Sequence, residues 1–171
     1  MLFSIGTSNR TADEFFNELL RREVWLVVDV RSSPSSRVPW ANRKALEASA
    51  ARHGIEYAWR GSILGGRNVI ETTHPDFQAE AATILDDLNR GSVAIFCAEG
   101  DPAHCHRSWK VAAHLFVKHC EPTVNILRDG SEEELTSTMV RTKPANVPPS
   151  LRGHLSVLTG GTPSLFGTIT V

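Results

Sequence analysis

The word SVAIFCAEGDPAHCHRSW, Ser92 to Trp109, concentrates more reactive side chains than any other stretch of the chain. Cys97 and Cys105 bracket Glu99, Asp101 and His104, and His106 and Arg107 follow at once. Cysteine supplies a nucleophile or a soft metal ligand, histidine a proton carrier near neutral pH, and carboxylates a second acid–base partner. Cys105 stands just before an expected helix, where free backbone N–H groups, Arg107 and a protonated His106 would favour its thiolate. Cys97 could serve instead if the loop folds back over it, and the spacing also permits a disulfide. Arg107 can meet a phosphate or carboxylate in a bidentate fork, or clamp Asp29 or Glu99 internally. Zinc accepts such donors, but the compact CxxC spacing with a distant partner is missing. No cofactor is expected, and zinc is the weaker reading.

These groups act together only if the fold brings them to one edge of a sheet. Met1 to Gly6, Val24 to Val30, Ile55 to Trp59, Val93 to Cys97 and Thr123 to Leu127 read as short strands. Helices are expected over Asp13 to Arg22, Arg43 to Arg52, Asp76 to Arg90 and Arg107 to His119, with Thr11 or Asp13 capping the first and Asn42 the second. The alternation predicts an α/β fold, a mostly parallel, Rossmann-like open sheet flanked by helices. In such a sheet ligands bind beyond the strand ends. Asp29 and Arg31 then fall on the same edge as Cys97, and Ser8, Asn9 and Arg10 leave the first strand there. Arg37, Trp40, Arg43, Arg60 and Arg67 add basic and aromatic groups in neighbouring loops, a mixture suited to phosphate pairing and base stacking. The stretch Arg60 to Pro75, with GSILGGRN, is too rich in glycine for a confident element.

Beyond Leu127 the pattern weakens. Ser131 to Met139 is expected as one short helix, with Ser131 and Glu134 as its capping box. Leu151 to Val171 alternates loosely and reads as a β-hairpin or an extended arm. The expected division is therefore an α/β domain over 1–130 and an extension over 131–171, packed on the domain or on a partner subunit.

At 171 residues, with 41% hydrophobic and 22% charged residues and a formal net charge of -1, the composition is that of an ordinary globular domain. No global charge draws it to nucleic acid or an anionic membrane. No run reaches the roughly 18 apolar residues of a spanning helix, and MLFSIG is not the start of a secretion signal. Three cysteines make no secreted disulfide framework, so a reducing cytoplasm is expected.

Four words, SIGTSNR (Ser4–Arg10), VVDVRSSPSSRVPW (Val27–Trp40), GIEYAWRGSILGGR (Gly54–Arg67) and CAEGDPAHCHR (Cys97–Arg107), resemble in order the family called domain of unknown function 488. Where the family pattern has histidine after its first glycine, this chain has Thr7. The resemblance implies an α/β fold and a link to nucleotide or nucleic-acid metabolism. It singles out Asn9, Asp29, Arg31, Gly65, Gly66, Cys97, Glu99, Cys105, His106 and Arg107. The chain is also loosely similar to rhodanese-type sulfur transferases, through Asp29–Arg31 at a strand end and a cysteine loop leading to Arg107–Ser108. The longer, acidic loop departs from that pattern, because negative charge disfavours a thiolate and an anionic sulfur donor.

The leading expectation is an enzyme acting on a nucleotide, nucleobase or nucleic-acid substrate. Glu99, Cys105, His106 and Asp29 would do the chemistry, while Asn9, Arg31, Asp101 and Arg107 would hold the substrate. Two alternatives stand beside it: a thiol-dependent sulfur-transfer or redox enzyme, and a non-catalytic nucleotide or nucleic-acid binding module. A homo-oligomer is compatible with each.

Overall fold

The apolar runs form parallel strands covered on both faces, as continuous hydrophobic sequence requires. They are β1 (Leu2–Gly6), β2 (Val24–Asp29), β3 (Glu56–Trp59), β4 (Ser92–Cys97) and β5 (Thr123–Ile126). A short β6 (Glu132–Glu134) pairs antiparallel with β5, giving a six-stranded sheet in the order β3-β2-β4-β1-β5-β6. The structure, a computed structural model, describes residues 1–68 and 70–160.

The helices are α1 (Ala12–Leu20), α2 (Arg43–Arg52), α3 (Gly61–Leu64), α4 (Pro75–Leu88), α5 (Ala113–His119), α6 (Leu135–Arg141), α7 (Pro149–Arg152) and α8 (Leu155–Leu158). Thr11 caps α1 in a reciprocal box: its hydroxyl accepts the Glu14 N–H at 3.2 Å, and the Glu14 carboxylate accepts the Thr11 N–H at 2.7 Å. Asn42 precedes α2 but does not cap it with its side chain. Its Oδ1 accepts the Ser36 N–H at 2.9 Å and pins the loop after β2 instead.

Strand alternation sorts the core into two layers. Phe15, Phe16 and Leu19 of α1, with Leu46 and Ala50 of α2, cover Phe3, Ile5, Val27, Ala94 and Phe96. The opposite layer packs Leu64, Phe77, Ile84, Val111 and Leu115 against Val28, Ile95 and Cys97, and Leu135, Met139, Leu151 and Leu158 of the helical extension join it. His114 of α5 is buried there and, among the described residues, neither ring nitrogen has a hydrogen-bond partner. Burial, with His119 and Lys118 nearby, lowers its pKa to about 4, so it stays neutral at pH 7.

The end of the chain departs from expectation. Ser131 to Met139 is not one helix: Asp129–Gly130 makes a hairpin turn, with Gly130 at φ +84° and the Leu127 N–H donating to Ser131 O at 2.9 Å. Glu132–Glu134 then becomes an edge strand and α6 begins at Leu135. The Asp-Gly pair was the legible signal, a dipeptide that favours hairpin turns. The expected hairpin or arm from Leu151 is likewise replaced, up to residue 160, by the helical turns α7 and α8. Residues 161–171 of that stretch lie outside the described residues.

Strand order places the site. The connection from β2 runs outward to β3, whereas that from β4 crosses over β1 to β5. The two therefore diverge and leave a crevice between the carboxyl ends of β2 and β4, the position where open α/β sheets bind ligands.

Candidate functional site: a dithiol and histidine at the β2–β4 crevice

Cys97 is the last residue of β4, and strand alternation turns it toward the α5 layer. The chain then loops out through Glu99 and Asp101 and returns at Cys105. From there a π-helical segment, Arg107–Ala112, runs directly into α5. Such one-turn widenings of a helix recur at functional sites. The return brings Cys105 and His106 back over Cys97. The two sulfurs and a ring nitrogen of His106 lie within 4.8 Å of one another, and all three residues are largely buried.

His106 is oriented from both ends. Its Nε2 lies 2.9 Å from the Val30 carbonyl oxygen, which can only accept, so Nε2 carries a proton. Nδ1 is left 3.8 Å from Cys97 Sγ and 3.8 Å from Cys105 Sγ, placed to take a thiol proton. Gly66 presses on the ring. A Cβ built there would stand 2.6 Å from His106 Cγ and 2.7 Å from Nδ1, so only glycine lets the GSILGGR loop lie this close. Trp109 completes the setting edge-to-face, its ring centroid 6.2 Å from that of His106.

The two thiols titrate apart. The neighbouring Cys97 thiol, supported against burial by His106 and the buried Arg107 guanidinium, holds Cys105 well below the ordinary thiol range. Cys97, beside the Cys105 sulfur and itself buried, is pushed far up. Coupled this closely, the two thiols titrate as a pair in which Cys105 is the lower member.

Arg107 is wholly buried. Its Nε donates to Ser4 Oγ at 2.8 Å, Nη2 to Gly100 O at 3.0 Å, and Nη1 to Glu99 O. It ties the loop after β4 to β1 and meets neither of the carboxylates expected as internal partners. Gly6 lets the same loop approach, since a Cβ there would fall 2.1 Å from Glu99 O. Arg31 is likewise engaged. Its Nε and Nη2 fork onto Asp29 at 2.8 and 2.6 Å, and Nη1 donates to Ala41 O at 2.8 Å. Asp29 alternates onto the α1–α2 layer, away from the thiols, where it also accepts the Tyr57 hydroxyl at 2.7 Å.

A cavity of about 540 Å³ opens over the thiols, between the serine-rich loop after β2 and the loop after β4. Cys97, Cys105, His106, Glu99 and Arg31 line it, together with Ser32, Arg67, His104 and Trp109. Asn9 and Asp101 do not; both line a separate hollow on the far side of the loop, and Glu99 borders the two. Sequence reasoning passed over Ser32, whose hydroxyl accepts the Arg67 N–H at 2.9 Å and joins the two loops. It gave Trp109 no role beyond its place in the helix from Arg107 to His119. Cys97, Cys105 and His106 could hold a soft cation such as zinc, as a three-donor set rather than the closed four of a structural site. Among the described residues no fourth histidine, cysteine or carboxylate joins that cluster.

Fold and site together define a class: an α/β protein with two buried cysteines and a histidine clustered at the crevice of its sheet. Residues 11–76 match the family model described as Domain of unknown function DUF488. The matched span holds Asp29, Arg31, the serine-rich loop and Gly65–Gly66, and it stops before the cysteines. No curated protein matches the chain. Among the described residues, no helix is long and apolar enough to cross a membrane.

Proposed function

We propose that this protein is a thiol-dependent enzyme performing sulfur transfer or disulfide exchange, with Cys105 as nucleophile and Cys97 as its resolving partner. One observation carries the reading. His106, its Nε2 fixed on Val30, turns Nδ1 toward two sulfurs that lie in the wall of a small-molecule-sized cavity. In the first step the Cys105 thiolate attacks a sulfur of the substrate R–S–X. A Cys105–S–R bond forms, and the S–X bond breaks with its electron pair leaving on X⁻. For disulfide exchange, His106 Nδ1 then takes the Cys97 proton as Cys97 attacks Cys105 Sγ. The thiolate RS⁻ departs and a Cys97–Cys105 disulfide remains, closing to the about 2.05 Å of an S–S bond. For sulfur transfer, an external acceptor takes RS from Cys105 and restores the thiolate.

Asp29, Arg31 and Arg107 serve in this reading as positioning residues, and Glu99 guards the cavity mouth. The nucleotide reading drew its strength from Arg31 and Arg107 as phosphate ligands, and both guanidinium groups already donate to the protein's own carbonyl, hydroxyl and carboxylate oxygens. A reduced dithiol fits a reducing compartment such as the cytoplasm.

The test is limited alkylation with iodoacetamide between pH 5 and 9, mapped by peptide mass spectrometry, with exposed Cys120 as internal control. Cys105 should be modified first, and its rate should level off below the pH range of ordinary thiols. A Cys105 that reacts more slowly than Cys120 throughout would refute the reading.

A further inference from the structure

Beside the thiol cavity lies a second hollow of about 170 Å³, and Gly66 and Trp109 line both. Lys110 reaches into this smaller space from the π-helical segment, one residue beyond Trp109. The side chain is 6% exposed. Its stem crosses Phe77, with Nζ 5.2 Å from the ring centroid. Of its three donors one meets Asn68 O, at a long 3.4 Å, and among the described residues the ammonium forms no ion pair. The other charges around the hollow are Glu71 and Arg152. Arg152 adds a second positive group, its Nε donating to Val147 O at 3.0 Å.

Burying an ammonium without a counter-charge is costly, and an internal carboxylate is the usual remedy. Here the cation, with Glu71 on the same wall but not in ion-pair contact, lines a hollow open to solvent that shares its Gly66–Trp109 wall with the reactive site. We propose that this hollow seats an anionic group, a carboxylate or sulfonate, of the substrate whose sulfur meets Cys105. The substrate class is then a small organosulfur compound with a negative tail. The tail rests on Lys110, and the reactive sulfur passes the Gly66–Trp109 wall to the thiols. This inference rests on the thiol reading above.

The test uses methanethiosulfonate reagents, CH₃SO₂–S–R, with three tails: neutral methyl, anionic 2-sulfonatoethyl with its 3-sulfonatopropyl homologue, and cationic trimethylammonioethyl. In each, the Cys105 thiolate attacks the sulfenyl sulfur, the Cys105–S–R bond forms, and methanesulfinate leaves with the electron pair. Second-order rates at Cys105 are followed by peptide mass spectrometry. In the unaltered protein the anionic reagents should outpace the cationic one. The anionic-to-neutral rate ratio should then fall about tenfold in Lys110→Met, the scale on which a local field changes encounter rates. Lys110→Gln is measured beside it, so that a folding defect in one variant leaves the other, and Lys110→Arg should restore the ratio. Selective labelling of Cys105 with no anionic preference in the unaltered protein overturns the subsite alone. A ratio unmoved in the folded variants does the same. Absence of selective labelling by every reagent overturns the thiol reading, and the subsite with it.

Discussion

The loop from Ala98 to Asp101 separates two hollows of similar volume, about 540 Å³ on the β2–β4 side and about 580 Å³ on the β1–β5 side. On the second side the charges are paired. Arg141 meets Asp101 at 3.3 Å and Glu133 at 2.8 Å, while Asp101 accepts the Ala103 N–H at 3.0 Å. Burial would raise Asp101, but Arg141 and the Ala103 N–H keep it below the usual carboxylate range, and Arg141 acts on Glu133 in the same sense. On the first side two sulfurs converge on one ring nitrogen, each 3.8 Å from His106 Nδ1. Residues of one short word thus part into scaffold and chemistry. What separates them is whether their polar atoms are already satisfied, not their type.

Substitutions can break this contrast. The largest effect belongs to Cys105→Ser, which should abolish rapid alkylation at the site. Cys97→Ala should move the remaining rate profile to higher pH, because the neighbouring thiol that lowers Cys105 is gone. The sign follows from the lowered pKa: the thiolate forms as pH rises through it, so raising that pKa delays reactivity. A Cys97→Ala profile that stays in place would show that Arg107 and His106 alone hold the charge.

Arg107→Met should cost about 3–5 kcal/mol in urea unfolding, since it strips buried carbonyls of a charged donor. It should also slow alkylation by releasing the loop. Gly66→Ala is expected to be milder, about 1–3 kcal/mol, because the added Cβ must displace the His106 ring. Its diagnostic readout is the alkylation rate of Cys105, which should drop by more than the stability loss explains. The smallest effect lies across the loop. Arg141→Ala should lower stability by under about 1 kcal/mol, as for a half-exposed ion pair, and leave the alkylation profile where it was. A profile shifted by Arg141→Ala would erase the distinction between the two hollows.

Much of the fold was legible because its signals are local. The apolar runs at Val24 to Val30 and Val93 to Cys97 read as buried parallel strands, and Arg43–Arg52 as a helix, within a residue of where they lie. The hairpin at Asp129–Gly130 was also local and was passed over in favour of a capping pattern that the glutamates of β6 only imitate. The site was legible in part. Cys105, His106 and Glu99 border one cavity with Cys97, whereas Asp29 faces the other layer and Asn9 and Asp101 line the other hollow.

By itself, the sequence determined that strands and helices alternate, that Cys97 ends a strand, and that Cys105 and His106 lead into a helix at Arg107. Periodicity and capping depend on neighbours a few residues apart, so they are written in the order of the chain. Only the tertiary structure decided which partners those side chains meet. Strand order set β2 beside β4 and so brought Val30 to His106 Nε2 and Gly66 to its ring. Burial then sent Arg107 to the loop carbonyls rather than to Asp29 or the Glu99 carboxylate, and left Lys110 with no ion pair among the described residues. Hydrogen bonds and ion pairs across the fold depend on distances between residues far apart in the chain, and those distances come into being only when the sheet closes.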